Sequence, residues 1–351
     1  MLKMSARRCL VIIKYNDKDI SADLQQYLKS VSYTDNMSGE ADDLQLTLED
    51  KAGLWQSAWM PEKGATLDVS IKLINWQSIG EKVVRFGLFE IDEITSSGMP
   101  SEVQIKAVSV PDNNNLRGAE RTRSWEKAEL KRIANDIATE AGLTLYYDVK
   151  DYNPVIDRAE QTEQSDLSFL YKLCADHGLA LKICDKQVVI FDEADYEAAE
   201  AVALVPKPKG SYSAGSLKVL DMLKSYSLRS KVRDVYKSCH VKYQDSSTKQ
   251  KIEATFTAPD KKIGKTLEVN EQVASIADAE RLAKKKLREK NSDEVTGSFS
   301  FLGNPELAAA VNIQLSGFGA FDGKYIITKA QHDISSGYTT SIDVRRCLDG
   351  Y

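Results

Sequence analysis

Three histidines and five cysteines are the residues of this 351-residue chain best suited to metal or thiolate chemistry. Cys174-x-x-His177 and the adjacent Cys239-His240 are the two places where they meet. A zinc site needs four ligands, commonly two closely spaced pairs, and no second pair with ligand spacing accompanies either one. Cys174 falls on the apolar face of an expected helix, and His177 stands at its end before Gly178, where a cation suits the helix dipole. Neighbours on a strand point to opposite faces, so Cys239 and His240 cannot form a nucleophile–base dyad. Paired carboxylates are the other option. Glu40, Asp42 and Asp43, and again Glu90, Asp92 and Glu93, have the composition a glycosidase uses. With 52 acidic residues in the chain such pairs arise by chance, and solvated strand edges are the expected reading. No Gly-x-Ser-x-Gly elbow, phosphate-binding Walker loop, His-Glu-x-x-His or dinucleotide fingerprint occurs. The expectation is a protein that is not an enzyme, with no catalytic, cofactor-binding or metal-ligating residue.

Charge and composition narrow the partners. A net charge of −5 without a basic patch argues against nucleic-acid binding, which depends on clustered cations neutralising phosphates. The one dense basic run, Lys284 to Lys290, reads as the solvated face of a helix. An odd number of widely spaced cysteines does not suggest a disulfide framework. No apolar run approaches the ~18 residues of a membrane span. The segment Met1 to Cys9 is a poor secretory signal because Leu10-Val-Ile-Ile13 stops at Lys14, so production and assembly in the cytosol are expected.

With chemistry scarce, the elements carry the information. From Asp293 to Arg346 short runs alternate polar and apolar residues between Gly, Pro, Asn and Asp, the pattern of antiparallel strands with one buried face. Residues 41–109 repeat it. Leu44–Leu48 stands where Phe299–Phe301 stands, Leu67–Ile71 where Val311–Leu315 stands, and Phe89-x-Ile91-x-x-Ile94 matches Tyr325-x-Ile327-x-x-Ala330. Ser96-Ser97-Gly98 and Ser335-Ser336-Gly337 follow, then Val103-Gln-Ile105 against Ile342-Asp-Val344. An internal duplication is the reading.

The rest of the chain fits around the two copies. A strand is expected at 8–15, mixed helix and loop at Ile20–Ser32, and packing by Trp55 and Trp59 at one end of the first unit. Pro111 to Asn115 is the clearest linker. Ser124 is read as an N-cap ahead of the stripe Leu130, Ile133, Ala134, Ile137, Ala138 and Ala141, with Gly142 as its stop. A strand at 143–147, a helix opened by Ser165-Asp166, and a hairpin of 179–183 and 187–191 about Asp185-Lys186 complete a small α+β domain. Residues 193–216 read as connection. The second unit begins near Val219, with strands at 223–232, 235–243, 252–257 and 265–269 and a helix near 276–290. The expected fold class is α+β, mostly β: two similar antiparallel β-barrel, tube-like domains at 1–112 and 216–351, with an inserted α+β domain and connector at 113–215.

Several runs resemble the phage late control D family, which includes XkdQ-type baseplate hub proteins of contractile tails. These are Gly303-Asn-Pro305-Glu-Leu307, Val311-x-Ile-x-Leu315-x-Gly317-Phe-Gly319, Asp322-Gly323-x-Tyr325-x-Ile327, then His332 and Gly337-Tyr-Thr-Thr-Ser-Ile-Asp-Val-Arg345. Asp166–Leu170 with Gly178–Leu181 resembles its middle domain, and Ala277–Leu287 the helix before the closing strands. The chain departs from the family at Ala309-Ala310, where Ala-Gly is common. The resemblance implies a homotrimeric hub with no catalytic residues, acting as a symmetry adaptor between the hexameric tail tube and the central spike. It implies as partners the tube protein, the spike protein, the tape measure protein and other baseplate proteins, among them a LysM-type protein. DNA would be only passing cargo, no membrane is involved, and the released phage tail or tailocin particle would carry the chain as a virion structural protein. The alternatives are a tail-associated peptidoglycan hydrolase or cell-wall-binding module, and the spike-base protein of a secretion system.

Overall fold

A computed structural model describes residues 6–76, 80–110, 116–208, 215–220, 222–244, 251–273 and 275–351, so the linker at Pro111–Asn115 lies outside the described residues. The first part of the chain forms β1 (Arg8–Tyr15), β2 (Lys18–Asp19), α1 (Ser21–Gln25), β3 (Leu28–Asn36), β4 (Asp43–Glu49), β5 (Thr66–Ile74), β6 (Glu81–Ser97) and β7 (Glu102–Val108). Alternation is clean on β5, whose burial pattern switches at every residue as one face meets the core. Ile20–Ser32 is thus a short helix followed by the start of a long strand. The strand was masked in the sequence because Lys29, Ser30 and Ser32 interrupt its apolar run.

The middle part forms β8 (Glu120–Glu129), α2 (Leu130–Glu140), β9 (Thr144–Asp148), β10 (Val155–Ser165), α3 (Asp166–Asp176), β11 (Ala180–Cys184), β12 (Gln187–Phe191) and α4 (Glu193–Ala198). The α2 stripe is buried as expected, and Leu130, Ile133 and Ile137 each contribute about 1.5–3 kcal/mol of apolar burial. Ser124 does not cap it. The residue lies inside β8, and Glu129 occupies the N-cap position without a side-chain bond. The β8–β10 ladder was missed because its residues are charged on both faces. Ser165 does cap α3, accepting from the Ser168 N–H at 3.2 Å. Asp185 and Lys186 turn the β11–β12 hairpin with φ of 49° and 60°, as a tight two-residue turn requires.

The last part forms β13 (Ala203–Pro206), β14 (Lys218–Val219), β15 (Leu223–Ser230), β16 (Tyr236–Gln244), β17 (Lys251–Thr257), β18 (Lys265–Val269), α5 (Ile276–Asn291), β19 (Val295–Leu302), β20 (Asn312–Ser316), β21 (Gly323–Ile334) and β22 (Tyr338–Arg346). Residues 193–216 are therefore more than a connection, since α4 and the buried strand β13 fall within them. Strands β15 and β16 follow each other in sequence without pairing among the described residues. Instead β16 bonds β17 and β18, and α5 covers that small sheet with Ala279, Ala283 and Leu287 inward. This body has its own core rather than extending the second sheet. No helix among the described residues is long and apolar enough to cross a membrane.

Among the described residues one fourteen-stranded sheet joins the first and last parts of the chain. Its first half runs β3-β4-β7-β6-β5-β1, and its second half runs β15-β19-β22-β21-β20-β13 in the same order. Local irregularities repeat too. A bulge at Leu28/Ser30 on β3 recurs at Leu223/Ser225 on β15, and one at Ile91/Glu93 on β6 recurs at Ile327/Lys329 on β21. Gly64 and Ala310, at φ of 80° and 65°, each donate an N–H to the strand carbonyl of Ile91 or Ile327, at 2.9 and 2.8 Å. Gly87 and Gly323, at φ of 137° and 144°, open the corresponding contacts with β5 and β20.

Aligned on the bulges, Leu46, Leu67, Ile91 and Ile105 stand where Phe299, Ile313, Ile327 and Ile342 stand. The pairing of β5 with β20 and of β7 with β22 is thus two residues away from the sequence alignment. A slip of two keeps every side chain on its face, so alternation cannot fix it. The shared Ser-Ser-Gly is not equivalent either: Ser96 and Ser97 end a strand, whereas Ser335 to Gly337 form a turn. Two closed barrels were expected, but no pairing among the described residues closes either half. The halves also differ at one end, where β1 runs antiparallel to β5 and β13 parallel to β20.

Candidate assembly interface and the junctions that set it

The two half-sheets meet where β3 pairs with the C-terminal half of β21, from Val31↔Ile334 to Asn36↔Lys329. Strand β21 first bonds β20, breaks register at its bulge, and then takes β3 on the same side. Tyr33 and His332 lie opposite across this seam and stack with ring centroids 5.8 Å apart. His332 shares its Nδ1 with the Tyr338 hydroxyl at 2.9 Å and the Thr340 hydroxyl at 3.2 Å, and burial depresses its pKa to about 4. On the uncovered face the Ser32 hydroxyl donates to Asp333 at 2.7 Å, and Gln331 donates to Ser32 at 3.2 Å. Trp76, beyond β5, donates its indole N–H to the Gly303 carbonyl at 2.6 Å, and Tyr338 closes over that glycine.

A buried ionic junction sits at the end of the seam. Lys182 of β11 donates to Asp35, to Asp42 at 3.0 Å and to the Asn36 carbonyl at 2.8 Å. The second oxygen of Asp35 accepts the Ala309 N–H at 2.8 Å, so one carboxylate ties the middle body to both half-sheets. Burial pushes Asp42 up to about 7 even though Lys182 pulls it down, while burial of Lys182 is outweighed by Asp35 and Asp42, which raise its pKa. Asp42 was expected on a solvated strand edge. It is instead 3% exposed, and Glu90 is buried as well, whereas Asp43, Asp92 and Glu93 are exposed as expected.

A second junction gathers around Glu197 of α4, which accepts from Arg288 of α5 at 2.6 Å, pairs with Arg345 of β22, and takes the Leu348 N–H at 2.8 Å. Arg345 also donates to Glu193 at 2.8 Å. The basic run on α5 is accordingly not a plain solvated face. Lys284 lies 5.9 Å from the centre of the Phe256 ring, Lys286 pairs with Glu271 at 2.8 Å, and the Lys285 stem packs on Gly178. Long cationic side chains cover apolar surface through their stems, which charge counting along a sequence does not reveal.

The other chemistry-bearing residues do not converge. Cys174 is buried on α3 with its thiol pushed up to about 12 by burial, and His177 at the helix end contacts the Tyr152 hydroxyl at 3.0 Å. Cys239 faces the core under α5, while His240 on the opposite face contacts Glu268 at 2.9 Å. Among the described residues no group of three or more His, Cys, Asp or Glu side chains is placed to hold a metal. Trp55 and Trp59 pack edge-on with Tyr27 and border an apolar cleft of about 490 Å³ at one end of the first half-sheet. Sequence reasoning missed Asp35 and Lys182; the signal was a lysine inside the apolar strand Leu179-Ala-Leu-Lys-Ile183.

What the arrangement offers are buried ionic junctions and open sheet edges. A protein described as "Probable baseplate hub protein" from Escherichia phage P2 is 30% identical over 167 residues, 48% of this chain and 41% of the relative. The matched stretch is thus less than half of that relative's length. Two solved structures share the fold across nearly the whole chain. The 43 kDa tail protein of prophage MuSo2 from Shewanella oneidensis has a TM-score of 0.68 at 13% identity, covering 97% of this chain and 99% of that one. The tail protein from Neisseria meningitidis MC58 has a TM-score of 0.69 at 11% identity, covering 97% of each. Residues 92–338 match the family described as phage tail baseplate hub (GPD), and the chain belongs to that family.

Proposed function

We propose that three copies of this baseplate hub protein form a ring on the axis of a contractile tail, phage or tailocin, and adapt the hexameric tube to the trimeric spike. The observation that carries the reading is the repeated half-sheet, with its strand order and both bulges duplicated in one chain. Two equivalent modules per chain turn threefold symmetry into an approximate sixfold one, which a hexameric partner can meet face on. On this reading residues 1–112 and 216–351 supply the tube-like modules, and residues 113–215 a middle body anchored through Lys182. The tube wall closes only between copies, in keeping with the open halves of the single chain.

The ring encloses the tail channel. The tube protein sits above it, the spike below, and the tape measure protein and DNA, where the particle carries any, pass through the lumen. Other baseplate proteins, a LysM-type protein among them, attach outside. The mild acidity of the chain suits a conduit that must not retain DNA. The role is structural: the junction carboxylates Asp35 and Asp42 are committed to Lys182 rather than left for acid–base work. Averaging of purified tails by cryo-electron microscopy tests the reading through the copy number at the axis. A peptidoglycan zymogram of the purified chain tests the hydrolase alternative, for which no clearing is expected.

A further inference from the structure

The internal seam has two unpaired counterparts on the surface of the same chain. By the duplicated strand order β15 is the equivalent of β3, and β6 the equivalent of β21. The outer edge of β3 is occupied by β21, whereas among the described residues β15 pairs with β19 alone. Strand β21 takes β3 beyond its bulge, whereas beyond the bulge of β6 the side that held β5 pairs with no strand among the described residues. An open edge presents a row of unpaired backbone donors and acceptors that favours a further strand.

We infer that these edges bind each other between copies, with β15 of one chain pairing antiparallel to residues 93–97 of β6 in the next. The inference rests on the ring reading above and assigns its contact. Transferring the register of the internal seam through the bulges sets Lys231 opposite Glu93, Ser230 opposite Ile94, and Arg229 opposite Thr95. The first of these is a charge-complementary pair at a position where the internal seam has Asn36 and Lys329. A second observation agrees. Met37, just past the end of β3, is 4% exposed and belongs to a buried cluster against which Ala309 and Ala310 pack. Its equivalent past β15 is Val232, which is 93% exposed in the single chain. Pairing of the free edges carries Val232 toward Lys63 and Gly64 of the neighbour, the equivalents of Ala309 and Ala310. An apolar residue left in solvent by one copy is covered by the next.

The test uses tail particles assembled with a T95C/R229C chain. Both positions are exposed strand residues, so the single chain folds with either change. Mild oxidation and non-reducing electrophoresis then read the register. Covalent linkage between copies, absent from a T95C/L228C control whose cysteines face opposite sides, is the expected result. V232D should lower hub incorporation at least tenfold while leaving the thermal midpoint of the isolated chain unchanged. A threefold hub with no T95C/R229C linkage overturns this seam and leaves the ring reading standing. A particle whose hub is not threefold overturns both.

Discussion

Replacing Lys182 by Met removes the cation that holds three parts of the molecule together, and the structure fixes both the size and the pH dependence of the loss. The side chains of Lys182, Asp35 and Asp42 are 17%, 11% and 4% exposed, so solvent screens them weakly. Truncating one partner of such a buried pair costs about 3–5 kcal/mol, because the remaining charge keeps its burial and loses its compensation. Two carboxylates are left here, so the upper part of that range applies when both are ionised. Asp42 can escape by taking up a proton. Its folded pKa, about 7, is raised above the ordinary value of 3.8. The stability it contributes is therefore fully present below about pH 4 and is lost as pH rises through 7. Without Lys182 that pKa rises further, and the loss extends to higher pH at about 1.4 kcal/mol per unit. K182M should cost about 4 kcal/mol at pH 8, clearly less at pH 5, and D42N/K182M should recover much of the difference. Urea unfolding followed by tryptophan fluorescence, with hydrogen exchange read at β11, measures this. A loss below about 1 kcal/mol, or one equal at pH 5 and pH 8, would refute the reasoning.

Three further outcomes are expected. Adding a Cβ at Gly303 places it 2.1 Å from the Tyr338 ring, and that ring is fixed by its bond to His332, so G303A should lower stability by about 3 kcal/mol. G337A, with nothing within 4 Å, should stay within about 0.5 kcal/mol by the same denaturation assay. Ala310 and Gly64 share a left-handed backbone, so A310G should stabilise and G64A destabilise, each by roughly 0.5–1 kcal/mol once the chain-entropy offset is included. His332 has a folded pKa near 4, below its ordinary 6.5, so its contribution is present above pH 6.5 and is lost as pH falls through 4. Thermal midpoints between pH 7 and pH 4 should therefore fall less for H332Q than for the unaltered chain.

The duplication was legible in the sequence because alternation and turn residues survive divergence: Phe89, Ile91 and Ile94 keep their spacing in Tyr325, Ile327 and Ala330. Register was not legible, since a period of two cannot distinguish a strand from itself moved by two residues. The bulges that fix register depend on backbone pairing, and nothing in residue type marks Ile91 or Ile327 as their sites. Helices α2 and α3 were readable from their apolar faces, while β8 and β10 were hidden by charges on both sides. The departure at Ala310 carries no sign of its backbone in the sequence, whereas its φ of 65° explains why glycine suits that position. Lys182 and Asp35 lie 147 residues apart, so their pairing belongs to tertiary structure alone.

A symmetry-free reconstruction of the baseplate core tests the account most directly. Three copies of this chain should surround the axis, with their six half-sheets alternating around a single lumen. A chain absent from the axis, or half-sheets lying at different radii with unrelated orientations, would contradict it.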